Sequence, residues 1–179
     1  SERLRGDWVV IFHLMKKITH QQYDLIIHAG IGGSFDKNCP LGSVFQIVAD
    51  RFADIGYETP DGTFHDFFGS ELISGHELPF KDGWINNPFK WNHSEIPCAK
   101  GITVNTVSGC IGTISQRSKY NAQIESMEGA ALFYVCRLFN IKFLSLRAVS
   151  NYVTPRNREE WQIQKAIQNL NDTLGLILE

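Results

Sequence analysis

Three short stretches carry groups suited to ligand chemistry. Ser126-Met127-Glu128-Gly129-Ala130-Ala131 puts a carboxylate at the start of an apolar run. An ionised carboxylate accepts two hydrogen bonds side by side, the geometry of a vicinal diol such as a ribose. The same residues suit a plain helix start, with Ser126 as N-cap and Glu128 in a first turn that favours negative charge. Arg147-Ala148-Val149-Ser150-Asn151-Tyr152 ends an apolar run in a polar pair that either turns the chain or offers a heterocycle edge one donor and one acceptor. In Gly30-Ile31-Gly32-Gly33-Ser34 the glycines let backbone N–H groups approach a ligand, or simply make a tight turn. The stretch lacks the third glycine of GxGxxG and lacks GK[ST], so it supports neither a dinucleotide fold nor a P-loop.

The surrounding pattern supplies elements to hold these stretches. Val9, Ile11, Phe12, Met15 and Ile18 recur at helical spacing over 8–21, with lysines toward the end. Residues 25–29 read as a buried strand running into the glycines, and 42–54 as a second strand with Val44, Ile47 and Ala49 alternating in part. From 57 to 100 prolines and glycines, Gly69 among them, break any long element, while Phe64, Phe67, Phe68, Phe80, Trp84, Phe89 and Trp91 require cover. Strands are expected at 102–107, 122–124 and 142–150, and helices at 128–139 and 158–178. Strands alternating with helices imply a layered α/β fold, whose ligands gather at the carboxyl ends of the strands.

The chain has 179 residues, 43% of them apolar, with 17 basic against 19 acidic groups and a net charge of −2. That length suits one domain over residues 1–179. The charge balance argues against a partner held by bulk electrostatics, nucleic acid or an anionic lipid surface. No apolar run reaches the roughly 18 residues of a membrane span, and the polar opening Ser1-Glu2-Arg3-Leu4-Arg5 has no signal-peptide pattern, so a cytoplasmic location is expected. Cys39, Cys98, Cys110 and Cys136 form no close pair and read as free thiols. The six histidines make no HExxH, so neither a metal nor any other cofactor is expected.

The order and surroundings of these stretches closely resemble the purine-nucleoside phosphorylase/nucleosidase superfamily, from about Gln22 to Leu178. The likeness is carried by 23–35, Val48-Ala49-Asp50-Arg51-Phe52-Ala53-Asp54, Phe80-Lys81-Asp82-Gly83-Trp84, Val107-Ser108-Gly109, 125–131, and 147–153 running into Pro155-Arg156-Asn157-Arg158. Within the superfamily it runs to the nucleosidases of futalosine, in menaquinone biosynthesis. The resemblance implies a three-layer α/β/α sandwich with a mixed central sheet, in a homo-oligomer. It implies hydrolysis of the N-glycosidic bond of a small-molecule purine nucleoside, with release of hypoxanthine. Glu128 and Asn151 would be catalytic. Met127 and Glu128 would hold the ribose, Ile31, Gly32 and Gly33 would line its side, and Ser108, Gly109 and Ser150 would face the base. Asn151 stands where adenine-specific nucleosidases carry an aspartic acid that protonates the purine, which suits a 6-oxopurine better than adenine.

The resemblance also implies an opening strand that leads to a water-activating acid. Here Gly6-Asp7-Trp8 runs directly into the first helix, so that strand is expected to be missing, with Glu2 and Asp7 the nearby acids. A phosphorylase using Arg51, Arg147, Arg156 or Arg158 for phosphate, and a silent nucleoside-binding remnant, are the competing readings. Arg156 and Arg158 follow Asn151 closely enough to reach a carboxylate on the 5′ side of the sugar, or to brace their own loop. Phe64, Phe67, Phe68, Trp84 and Trp91 would wall that arm.

Overall fold

The computed structural model describes residues 7–68, 74–89, 91 and 96–178; Glu2, Gly6 and Gly69 lie outside them. Helix α1, Asp7–Ile18, is followed by strand β1, Ile26–Ser34, and strand β2, Val44–Asp50. Four short strands then cross the aromatic segment: β3 Gly56–Glu58, β4 Phe64–Asp66, β5 Phe80–Lys81 and β6 Trp84–Asn86. Beyond them come β7 Cys98–Thr103, α2 Ile111–Ser118, β8 Ile124–Ser126, α3 Gly129–Leu138, β9 Phe143–Tyr152, a 3-10 turn Arg158–Glu160 and α4 Ile163–Leu178.

The main sheet is mixed, in the order β5-β6-β2-β7-β8-β1-β9, and β9 also pairs with the first half of β2. Strands β2, β7, β8, β1 and β9 therefore close into a ring. Where β1 meets β8 the backbones leave no room for a side chain: a Cβ on Gly32 would lie 2.7 Å from Ile124 Cγ2 and 2.9 Å from the Glu125 carbonyl. Helix α4 packs on β9, β1 and β2, and α3 packs on β7, β6 and β2 with α1 behind it. One apolar core joins Leu144, Leu146 and Ala148 to Ala166, Leu170 and Ile177 of α4. The other joins Ile47, Ile85, Ile124, Phe143 and Val149 to Phe133 of α3. Helices thus cover both faces of a central mixed sheet, as the α/β/α reading anticipates.

Several elements differ from the sequence expectation. Gly30–Ser34 is no turn: β1 continues through it, because β9 on one side and β8 on the other satisfy its backbone. The strand expected at 102–107 is displaced to Cys98–Thr103, since Lys100 and Gly101 are tolerated between two parallel neighbours. Ser126 is the end of β8 and no cap; the N-cap of α3 is Glu128. The closing helix breaks at Trp161, and α2 falls where no element is expected.

The aromatic segment packs on α3 and on the core beside β7, where Trp84 joins Phe35 and Tyr120 over Ile102 and Val104. Phe68 packs tilted against Phe80 and Phe80 against Tyr134, while Lys100 sits over Trp84. Arg51 fastens the segment to the sheet. It donates to Asp66 at 2.6 Å and to the Asp82 carbonyl at 2.9 Å, and lies over the rings of Phe68 and Tyr120. The four cysteines are free thiols.

Candidate active site

A cleft of about 420 Å³ opens between the carboxyl half of β1, the end of β9 and the start of α3. Its shape starts from a register slip. Gly32 lies opposite Val149 but Gly33 lies opposite Asn151, so Ser150 is the extra residue of a bulge. A bulge bends the strand and re-aims its side chains. Ser150 Oγ lies 3.2 Å from the Gly32 carbonyl and 2.8 Å from Asn151 Oδ1. Asn151 Nδ2 donates to the Tyr152 carbonyl at 3.1 Å, so its two neighbours fix which way the amide points. No described residue is seen to take the second Nδ2 hydrogen, and Asn151 lines the cleft.

On the other side, α3 begins at Gly129 and its N-cap residue, Glu128, makes no side-chain capping bond. Met127 and Glu128 line the cleft together with Ile31, Gly32, Gly33, Ser150 and Asn151. These seven sequence-predicted residues are therefore gathered around one space. Ser108, Gly109 and Arg156 do not line it. Ser108 is buried behind the wall, held by Glu125. Gly109 offers its carbonyl to the Arg156 amide at 3.2 Å, and the Arg156 guanidinium lies over the Trp161 ring, 5.8 Å from its centroid. Arg158 lies at the same distance from that ring. Among the described residues the aromatic wall of the cleft is Trp161, and none of Phe64, Phe67, Phe68, Trp84 or Trp91 reaches it.

Eight further residues line the cleft; Gly30 and Ser126 fall in the stretches singled out from the sequence, whereas His28, Ala29, Val104, Val107, Glu125 and Trp161 had no role assigned there, and two charged groups, Arg147 and Asp50, lie just behind. Arg147 is 1% exposed, a guanidinium inside the sheet ring. It donates to the Leu146 carbonyl at 2.9 Å and contacts His28 Nδ1 at 3.1 Å, while its Nε finds no partner among the described residues. Burial first, then the charge of Arg147, hold His28 well below its ordinary pKa, so the imidazole is neutral and accepts from the guanidinium. Burial lowers Arg147 too, opposed by the negative charges of Glu128 and Asp50. Asp50 is pushed up to about 7, chiefly by burial and in smaller part by Glu128, against its bonds from Thr103 and Arg51 and the field of Arg147. A charge inside an otherwise apolar strand was the signal available for Arg147 and Asp50: a buried charge is retained only where paired or used.

A glycine-walled cleft with a carboxylate at one edge and an oriented carboxamide at the other suits a polyhydroxylated sugar carrying a heterocycle. Residues 9–178 match the profile of the phosphorylase superfamily. The chain belongs to the phosphorylase superfamily. A futalosine hydrolase from Streptomyces coelicolor is 34% identical over 162 residues, covering 86% of this chain and 64% of that protein. A 5′-methylthioadenosine/S-adenosylhomocysteine nucleosidase from Staphylococcus aureus is 30% identical over 140 residues, covering 72% of this chain and 57% of the relative. The chain thus spans less than two thirds of the length of either relative. Among solved structures, futalosine hydrolase of Helicobacter pylori superposes with a TM-score of 0.73 at 14% identity, over 96% of this chain and 74% of that one. Such superfamily members share the fold at low identity, so the roles of individual residues rest on the cleft. Among the described residues no helix is long and apolar enough to cross a membrane.

Proposed function

We propose that this chain forms the nucleoside site of an N-glycosidic hydrolase whose substrate is a 6-oxopurine nucleoside, futalosine first, and whose product base is hypoxanthine. One observation carries the reading: Glu128 and Asn151, expected to hold the sugar and the base, line the same cleft across the glycines of β1. The relatives that act on nucleosides support it. Glu128 accepts the ribose hydroxyls. As the C1′–N9 bond breaks, its electron pair departs with the base and the sugar gains oxocarbenium character that the carboxylate stabilises; water adds its oxygen at C1′, and the proton it loses balances the one the purine anion takes up to leave as neutral base. Asn151 donates its free N–H to N7 or O6, where a 6-oxopurine gathers negative charge. Positioned dipoles of this kind commonly supply about 3–4 kcal/mol each.

Phosphorolysis would need cations facing the cleft. Arg51 is engaged with Asp66 and Asp82, Arg147 is enclosed with His28, and Arg156 and Arg158 stack on Trp161. The assay separates the alternatives: futalosine, inosine and methylthioadenosine, each with and without phosphate, with chromatography of the released base. Hypoxanthine from futalosine without phosphate is the expected result. Release only with phosphate would make this a phosphorylase, and saturable binding with no release a silent nucleoside binder.

The reading includes a homo-oligomer. Trp8 and Phe12 of α1 are 78% and 64% exposed, beside an α3 whose end exposes Leu138 and Phe139. Apolar surface of this kind favours a protein partner. A strictly monomeric mass in light scattering at micromolar protein would exclude it.

A further inference from the structure

Helix α3 must satisfy its first N–H groups without its own N-cap side chain. In an ordinary start the N-cap oxygen accepts from the second or third helical N–H. Here the N-cap is Glu128, and its carboxylate does not turn back. Instead the Ala130 amide donates to Thr103 Oγ1 at 2.7 Å, and that hydroxyl passes its own hydrogen to Asp50 Oδ1 at 2.8 Å. Asp50 Oδ1 also takes the Arg51 amide at 2.8 Å. Asp50 Oδ2 lies against the helix start so closely that a Cβ on Gly129 would fall 2.0 Å from it. Asp50 and Thr103 are 1% and 0% exposed. A two-residue cap, reaching from β2 and β7, therefore replaces the missing one.

We propose that Asp50 and Thr103 are positioning residues for Glu128: they take over the capping of α3 and leave its carboxylate free to face the ligand. The proposal rests on the role given to Glu128 above. Asp50 also sets the charge around that role. The ionisable groups facing it are Arg147 from β9 and Glu128 at the head of α3, with His28 of β1 against the far side of Arg147. With Asp50 protonated, Arg147 is left to balance Glu128 alone. With Asp50 ionised, one cation faces two carboxylates. Because the Asp50 carboxyl changes state near pH 7, the cluster alters its charge within the neutral range.

Two measurements test this, one of them independent of catalysis. The Gly129 and Ala130 amide shifts of the full chain, followed by NMR against pH, should titrate near 7 in the wild type and lie flat in Asp50→Asn. Asp50→Asn keeps the acceptor for Thr103 and removes the charge. In the base-release assay, Asp50→Asn should lose the inflection near neutral pH. Thr103→Val should lower kcat on the order of 10-fold or more with KM little changed, since misplacing a reacting group acts on turnover. Thr103→Ser should restore it. Amides that do not titrate in the wild type, or Asp50→Asn and Thr103→Val variants with wild-type kcat and pH profile, would overturn the proposal. Wild-type protein that releases no base from any nucleoside would instead overturn the nucleosidase reading, and the amide titration tells the two failures apart.

Discussion

Glu125 grips Ser108 at both of that residue's donors: the Ser108 amide meets Oε1 at 3.0 Å and its hydroxyl meets Oε2 at 2.5 Å. Arg117 closes the arrangement, donating to Ser108 Oγ, Glu125 Oε2 and the Thr106 carbonyl and pairing with Asp54. The loop after β7, whose Val104 and Val107 line the cleft, is thereby anchored from behind. Glu125→Ala would leave a buried guanidinium with Asp54 as its remaining carboxylate and two Ser108 donors unmet, so the loss should stay below the roughly 3–5 kcal/mol of a fully uncompensated buried charge. Glu125→Gln keeps one acceptor and should lose less. Urea unfolding of the two variants should rank them in that order, and equal stability of Glu125→Ala and wild type would remove the anchor.

Glu128 should behave in the opposite way. It caps nothing, because Thr103 and Asp50 do that work, so Glu128→Gln should leave the melting temperature close to wild type. Turnover should fall by about 100-fold or more, the scale of removing one group aimed at developing charge. Base release at the wild-type rate would take Glu128 out of the reaction.

This contrast bears on what could be read from the residues alone. The seven predicted residues that line the cleft lie in recognisable local patterns at strand ends and a helix start, and the sequence order of those patterns points to the superfamily. The supporting charges do not announce themselves. Arg147 sits in Leu144-Ser145-Leu146-Arg147-Ala148-Val149, where a strand reading puts a charge at the edge or the end, yet ring closure by β2 and β1 buries it. Helix α2 escaped because Gly112, Thr113, Ser115, Gln116 and Ser118 give it almost no apolar face; its one buried side chain is Arg117. The resemblance puts Ser108 and Gly109 at the base and Arg156 at the 5′ side, but Ser108 is held by Glu125, seventeen residues away and invisible to local pattern, and the Arg156 guanidinium lies over Trp161.

Asn151→Asp should shift base preference. Asn151 Nδ2 donates to the Tyr152 carbonyl at 3.1 Å, so an aspartate oxygen in its place would face another acceptor. That contact and the part-buried setting favour the protonated carboxyl, which can hand a proton to a purine nitrogen. The variant should release adenine from methylthioadenosine faster than wild type does, most clearly below neutral pH, and hypoxanthine from futalosine more slowly. An unchanged ratio of the two rates would mean that Asn151 does not read the base.

His28 and Asp50 pull stability in opposite directions with pH. His28 has a lowered folded pKa, so the unfolded chain binds its proton first; this contribution is present above about 6.5 and is lost as pH falls below that value. Asp50 has a raised folded pKa of about 7. Its contribution is complete below the unfolded value near 4 and is lost as pH rises through 7. Each slope is at most about 1.4 kcal/mol per pH unit. Unfolding free energies measured from pH 4 to 8 should therefore show Asp50→Asn gaining on the wild type as pH rises, and His28→Gln gaining as pH falls. Parallel curves for wild type and either variant would remove that group from the linkage.

Arg156 lies beside the cleft without lining it. Its amide holds the Gly109 carbonyl and its guanidinium lies over Trp161, the aromatic wall of the cleft, with Arg158 over the same ring. This geometry favours bracing of the loop over contact with a substrate carboxylate. A cation over an aromatic ring at an exposed site is worth about 0.5–1 kcal/mol. Arg156→Ala should therefore lower kcat/KM about 2- to 5-fold, and by the same factor for futalosine and for inosine, since it would loosen a wall of the one cleft proposed for both. Trp161→Ala should lower both further. The measurement is the ratio of the two kcat/KM values in each variant. A loss of about 10-fold or more on futalosine with inosine untouched would be the size of a charge-assisted hydrogen bond, and would put Arg156 on the carboxylate of the substrate's arm.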